Sequence, residues 1–220
     1  MPVDGQPVAG EEESSWDAPG VADWLDGDWP ALPVAPALSA LVDLVERHHT
    51  TGSILDVGCG TGRTYEALIR RFYLHGFPYV GVDASAAMLD RARAHYTGVD
   101  FRSGDARALT FADWSFGSVV CTDLLQHLPD IERPIAEMLR VATDHVFVML
   151  WLSKASTPPA VVEPKLVTVP EHGVRARFYE IPRSDEEIIE ACERGGGRVL
   201  DLHVLEGERH DIGLFRVGVR

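Results

Sequence analysis

Asp56 and Asp83, with three glycines between them, set the chemistry to look for in this chain. Asp56 interrupts an apolar run, Ile54, Leu55 and Val57, and glycines follow on alternate positions, Gly58, Gly60 and Gly62. Tyr65, Leu68, Ile69 and Phe72 then recur at helical spacing. A strand, a glycine turn and a helix in that order open a nucleotide site in a parallel α/β sheet. Without a Cβ the glycines turn the chain tightly and let a ligand approach the main chain, where the first N–H groups of the helix are free to meet it. Asp83 closes a second apolar run, residues 79–82, and lies 27 residues after Asp56 and 21 after Gly62. An acid so placed accepts hydrogen bonds from both hydroxyls of a ribose. These features predict a nucleoside-bearing ligand.

A dinucleotide turn reads G-x-G-x-x-G, and here Arg63 occupies the position of its third glycine. The stretch Asp56-Val57-Gly58-Cys59-Gly60-Thr61-Gly62 resembles instead the first motif of the class I S-adenosylmethionine-dependent methyltransferases of the small-molecule type. The resemblance covers residues 37–152 well and the C-terminal stretch in order only. It implies an α/β fold, a Rossmann-like, doubly wound, mostly parallel seven-stranded sheet with a C-terminal antiparallel hairpin. It also implies S-adenosylmethionine as the cofactor. Asp56, Gly58, Cys59 and Gly60 would surround its amino-acid end. Asp83 would take the ribose hydroxyls, with its neighbour Ala84 among the cofactor contacts, and Met88 would border the adenine. Asp105 would accept from the adenine amino group, with the Ala106 N–H on the ring. Thr122, Asp123 and Leu124 would lie beside the methionine portion, and Gln126 and His127 would face the acceptor. The N-P-P-Y-like tetrapeptide that many amino-methylating enzymes acting on nucleic-acid bases or protein amides carry is absent.

A sulfonium makes its methyl a good electrophile, so the protein's task is to align a nucleophile and exclude water. A hydroxyl acceptor still benefits from a base, and histidine suits that role near neutral pH. His127 is the catalytic candidate; the plainer reading is a loop histidine bonded to backbone. His48, His49, His75 and His95 lie near helix ends, where histidine is ordinary. No histidine pair has metal-ligand spacing, so no metal site is expected.

The chain has 220 residues, 45% hydrophobic and 25% charged, with 20 Lys and Arg against 34 Asp and Glu for a net charge of −14. That composition suits a globular protein, and the length suits one domain with a sizeable core. The acidic balance disfavours a polyanionic partner. The expected partners are a small-molecule acceptor, with no nucleic acid and no membrane, and a homodimer is compatible with the sequence. The N-terminus does not read as a signal peptide. Cys59, Cys121 and Cys192 are widely spaced without a C-x-x-C pair, which points to a reducing, cytoplasmic setting.

These residues need elements to position them. Residues 1–36 read as an acidic arm: Glu11, Glu12 and Glu13, then Trp16, Trp24 and Trp29 among Asp17, Asp23, Asp26 and Asp28. The arm either packs its indoles on the domain or caps the site, with its acids expected in solvent. Residues 37–220 read as a single domain. It opens with a helix from Pro36 whose stripe is Leu38, Leu41, Leu44, Val45 and His48. Ser85 is an N-cap for a helix that buries Met88, Leu89, Ala92 and Tyr96. Strands are expected at 99–102, 116–121 and 145–152, with a helix starting at Asp130 or Arg133. The insertion 153–183 carries Pro158, Pro159, Pro164, Pro170 and Pro182 around strand-like pieces at 166–169 and 175–181, and reads as a lid or substrate wall. Ser184 and Glu187 form a capping box, and residues 199–205 and 214–219 a closing hairpin.

The function expected is methyl transfer to an oxygen, or to a nitrogen, of a small molecule. A protein or RNA methyltransferase would show an open groove in place of a closed pocket. A nicotinamide-dependent oxidoreductase is disfavoured by Arg63, and a non-catalytic interaction module by the presence of all the cofactor residues.

Overall fold

The computed structural model describes residues 15–28, 34–50, 52–72, 77–154, 163–169 and 173–219. Trp29, Glu11 to Glu13, His75, Pro158, Pro159 and Pro170 lie outside them. Seven strands form one sheet: β1 (Ile54–Val57), β2 (Tyr79–Asp83), β3 (Asp100–Ser103), β4 (Phe116–Thr122), β5 (Ala142–Leu152), β8 (Gly197–Leu205) and β9 (Asp211–Val219). Their order is β3-β2-β1-β4-β5-β9-β8. The first five are parallel, and β9 runs antiparallel to both β5 and β8. Chain order reverses between β1 and β4, so a crevice opens at the carboxyl ends of these two strands.

Alternation along the strands sends side chains to two apolar layers. Val120, Phe147, Met149 and Leu214 meet α2 (Val34–His48), α3 (Arg63–Phe72) and α4 (Ala86–His95) on one face. Val119, Cys121, Val146, Val148 and Phe215 meet α5 (Glu132–Val141) and α6 (Asp185–Arg194) on the other. The sheet is therefore doubly wound, as the resemblance implies. β5 starts earlier than its apolar run, because Ala142 pairs with Phe116 directly at the end of α5; the polar Asp144 and His145 hide this in the sequence. The capping box at Ser184 is present with both of its bonds. Cys59, Cys121 and Cys192 are buried free thiols. Among the described residues no helix is long and apolar enough to cross a membrane.

The insertion holds a separate antiparallel pair, β6 (Lys165–Val169) and β7 (Val174–Phe178). Two strands alone are marginal in water, and this pair buries Val174, Ala176 and Phe178 against the arm. The arm consists of a 3-10 turn, Ser15–Asp17, and α1 (Val21–Asp28). Val21, Ala22, Trp16 and Trp24 join the three β7 residues and Met88 of α4 in one apolar cluster.

Three of the arm's acids, Asp17, Asp23 and Asp26, are engaged by the domain, contrary to the expectation that they stay in solvent. Asp17 accepts from the Ser85 hydroxyl at 2.7 Å and the Ala87 N–H at 3.0 Å. Asp23 pairs with Arg91, and Asp26 bonds His95 at 2.6 Å. Arg63 donates to the Asp26 carbonyl. The cations that meet the arm sit on α3 and α4, far off in sequence, so reading the arm alone missed them.

Candidate functional site

Asp56 of β1 lies opposite Gly81 of β2 and Val120 of β4. It is fully buried, and the Tyr79 hydroxyl donates to its Oδ2 at 2.6 Å. Its Oδ1 has no partner. Burial pushes its carboxyl up to about 7, only partly offset by the Tyr79 bond. The turn that follows needs glycine, since Gly58 and Gly60 have φ of +78° and +51°. A Cβ on Gly58 would come within 3.0 Å of Leu124, whereas one on Gly60 would meet nothing within 4 Å. The outer face of the turn is therefore open. Cys59 is buried between the sheet and α4, and burial raises its thiol well above the ordinary range; only its main chain is available to a ligand.

Asp83 ties the turn to β2. The Gly60 N–H donates to Oδ2 at 2.9 Å and the Ser85 N–H to Oδ1 at 2.9 Å. A carboxylate has about four acceptor positions, so each oxygen keeps capacity for a ribose hydroxyl. Ala84, between Asp83 and the cap, is exposed. Met88 is buried at the start of α4, its N–H donating to the Ser85 hydroxyl at 3.2 Å. Asp105, past the end of β3, is engaged by the Arg107 guanidinium at 3.0 and 3.1 Å and by its N–H at 2.8 Å. Burial raises its carboxyl, but these bonds outweigh that and hold it below the ordinary range. Ala106 is half-buried beside it.

At the end of β4 the Thr122 hydroxyl shares a 2.8 Å hydrogen bond with Thr64 of α3. Asp123 follows with φ of +53°. Its Oδ1 accepts from Gln126 at 3.1 Å, and its Oδ2 is buried without a partner. Burial pushes this carboxyl up to about 7 as well. Gln126 is fully buried; its Nε2 donates to Asp123, and its Oε1 is left without a partner. His127 does occupy a ring-lined position. Its Nδ1 lies 2.6 Å from the Tyr179 carbonyl, which can only accept, so Nδ1 carries the hydrogen and Nε2 keeps its lone pair. Trp16 and Trp151 stand edge-on to the ring at centroid distances of 4.9 and 5.7 Å, and Phe178 packs on Trp16 at 4.4 Å. Burial lowers the imidazole below its ordinary 6.5, so it is neutral at pH 7.

The segment after β7 holds His127 in place. The Ile181 N–H donates to the Gln126 carbonyl at 2.8 Å, and Arg183 donates to the Leu128 and Pro129 carbonyls at 2.6 and 3.0 Å. Sequence reading missed Arg183, Trp151, Phe178 and the Tyr79 hydroxyl. Trp151 and Tyr79 look like strand residues, and a lone arginine after a proline-rich stretch gives no signal. Among the described residues no three His, Cys, Asp or Glu side chains are grouped to hold a metal.

The residues fit S-adenosylmethionine. The turn has an open face at Gly60, Asp83 retains acceptor capacity, and Asp56 and Asp123 each hold a buried oxygen without a partner, able to meet a cationic group. Comparison with known proteins agrees. Residues 54–145 match the methyltransferase domain family. A ubiquinone biosynthesis O-methyltransferase of Hahella chejuensis is 35% identical over 126 residues, 54% of this chain and 51% of that one. A phosphatidylethanolamine N-methyltransferase of Cereibacter sphaeroides is 34% identical over 123 residues, 52% of this chain and 58% of that one. The chain thus spans about half the length of these curated relatives. A solved S-adenosylmethionine-dependent methyltransferase from Methanosarcina mazei superposes with a TM-score of 0.65 at 17% identity, covering 80% of this chain and 96% of that one. Residues 54–145 are therefore a methyltransferase domain, carried on the fold of the class I S-adenosylmethionine-dependent methyltransferases.

Proposed function

We propose that this chain moves a methyl group from S-adenosylmethionine to an oxygen of a small-molecule acceptor, with His127 receiving the acceptor's proton. The observation that carries the reading is the fixed tautomer of His127. Nδ1–H is committed to the Tyr179 carbonyl, which leaves Nε2 as an acceptor inside a wall of Trp16 and Trp151. When bound, the cofactor supplies an electrophilic methyl on a sulfonium. Asp83 and the Gly58–Gly60 main chain hold and orient it, and Asp56 and Asp123 offer buried negative charge to its amino-acid end. Met88, Asp105 and Ala106 line the adenine side. The rings around His127 exclude water and keep the imidazole neutral, ready to take a hydroxyl proton.

Residues 16–36 and the insertion 153–183 act together as a cover on the site of the single domain 37–220. The contact of Trp16 with both Phe178 and His127 supports this. The net charge of −14 supports a non-polyanionic acceptor, and the three free thiols support a reducing, cytoplasmic setting. A nitrogen acceptor is the second reading, favoured by the unpartnered Asp123 Oδ2, which suits an amine.

The experiment is to incubate the protein with S-adenosylmethionine and panels of small phenols, alcohols and amines, and to measure S-adenosylhomocysteine release. With a hydroxyl acceptor, His127→Ala lowers turnover about 10²–10⁴-fold and leaves S-adenosylhomocysteine affinity nearly unchanged. Full turnover by that variant on a hydroxyl acceptor removes His127 from the mechanism.

A further inference from the structure

Two consecutive arm residues touch the two ends of the crevice. Trp16 lies against His127 and Phe178. Asp17 reaches the opposite end. Its Oδ1 accepts from the Ser85 hydroxyl at 2.7 Å and from the Ala87 N–H at 3.0 Å. Ser85 in turn donates its N–H to Asp83 at 2.9 Å, and Asp83 holds Gly60 at 2.9 Å. A chain of direct bonds therefore runs from the arm through the cap of α4 to the glycine turn, and the next residue along the arm walls the imidazole. We propose that Asp17 is a positioning residue: by capping α4 it seats Trp16 on His127, so that the cofactor end and the acceptor end of the site are set by one anchor.

This rests on reading Asp83 as the ribose acceptor, and it predicts more than a helix cap does. An ordinary cap stabilises its own helix. Asp17 should also govern the surroundings of a histidine on another element: its carboxylate holds the turn before α1 more closely than does the 3.3 Å contact of the Ser85 hydroxyl with the Trp16 carbonyl, and Trp16 leaves His127 if that turn lifts. Losing that indole lets water reach the ring. The charged group facing His127 from its packed neighbours is Glu180, which Asp17→Ala leaves in place.

The test needs no acceptor. The His127 imidazole is titrated by NMR, and S-adenosylhomocysteine binding is measured by calorimetry, in the wild type and three variants. Asp17→Ala should raise the His127 midpoint toward 6.5 and weaken S-adenosylhomocysteine binding about fivefold, the factor a lost cap corresponds to. Asp17→Asn removes the charge but keeps an Oδ1 that can accept both bonds, and it should restore both readouts. Trp16→Ala should raise the His127 midpoint and leave binding unchanged, which separates the two ends without touching the cap. An unmoved His127 midpoint in Asp17→Ala overturns the proposal, as does equal damage by Asp17→Asn. If wild-type protein fails to bind S-adenosylhomocysteine, the cofactor reading itself is wrong, whatever the variants do.

Discussion

At the proposed cofactor end of the crevice, the glycine turn after β1 is tied to β2 through its own N–H groups, Gly60 donating to the Asp83 carboxylate at 2.9 Å and Gly58 to the Val82 carbonyl at 2.8 Å. At the acceptor end, Trp16, His127, Trp151 and Phe178 come from the arm, the turn after β4, the end of β5 and the insertion. Burial also moves the titrating groups of the two ends in opposite directions. Burial holds Asp56, Asp83 and Asp123 above the ordinary carboxylate range, while it holds His127 below the ordinary imidazole value. Both shifts favour neutral forms in the free protein. A cation binding at one end would reverse the shift on the acids, but nothing there calls for a charged His127. The difference separates a site made by backbone geometry from one made by packing rings.

The largest effect is expected from Asp83→Ala. It removes the acceptor of the Gly60 and Ser85 N–H groups and, on the proposed reading, of the ribose, and should weaken S-adenosylhomocysteine binding by about 1.5–3 kcal/mol, tenfold or more. The His127 tautomer, set by Tyr179, should persist. Calorimetry with NMR of the imidazole reads both, and a changed His127 tautomer would mean that Asp83 itself, and not the Asp17 anchor alone, couples the two ends.

A smaller effect is expected behind the turn. A Cβ on Gly81 would sit 2.7 Å from the Phe101 ring and 2.9 Å from the Cys59 sulfur. Gly81→Ala overpacks the space between β2, β3 and the glycine turn, at a cost of about 1–2 kcal/mol, or a fall of roughly 3–8 °C in melting midpoint. Thermal denaturation followed by circular dichroism measures it. An unchanged midpoint would show that Phe101 swings aside and that the floor of the cofactor end is not rigid.

The same division explains what the sequence could reveal. Gly58, Gly60, Asp56 and Asp83 were legible because a parallel strand, a turn needing positive φ and an acid on the next strand leave a local pattern. The Ser85 and Ser184 caps were legible for the same reason, since each follows from residues a few positions apart, whereas the doubly wound sheet with its C-terminal hairpin came through the family resemblance. The ring wall was not. Trp16 was one of three candidate indoles, and Trp151 was hidden in an apolar strand. The role of Tyr179 is played by its carbonyl, which any residue possesses. Asp17, Asp23 and Asp26 read as solvated because Ser85, Arg91, His95 and Arg63, which meet them, belong to helices that only the fold brings near.

The smallest expected effect concerns protons. In the free protein Asp56 and Asp123 titrate at about 7 instead of the ordinary 3.8. Between those values the folded protein binds more protons than the unfolded chain, so these two groups weaken folding as pH rises from about 4 through 7. Ligand binding acts on the same equilibrium. The amino group of S-adenosylhomocysteine favours an ionised neighbour, so binding near pH 7 should expel roughly half a proton from each carboxyl it approaches. Affinity should then rise with pH up to about 7 and level off above it. Calorimetry in phosphate and in Tris, whose ionisation heats differ, counts the protons directly. S-adenosylmethionine, with its extra sulfonium charge, should release more than S-adenosylhomocysteine if Asp123 faces the sulfur side. Asp56→Asn should remove one share of the release and leave the other. Identical binding heats in the two buffers would mean that the unpartnered oxygens of Asp56 and Asp123 do not meet the cationic end of the ligand, and that the cofactor end works through its main chain and Asp83 alone.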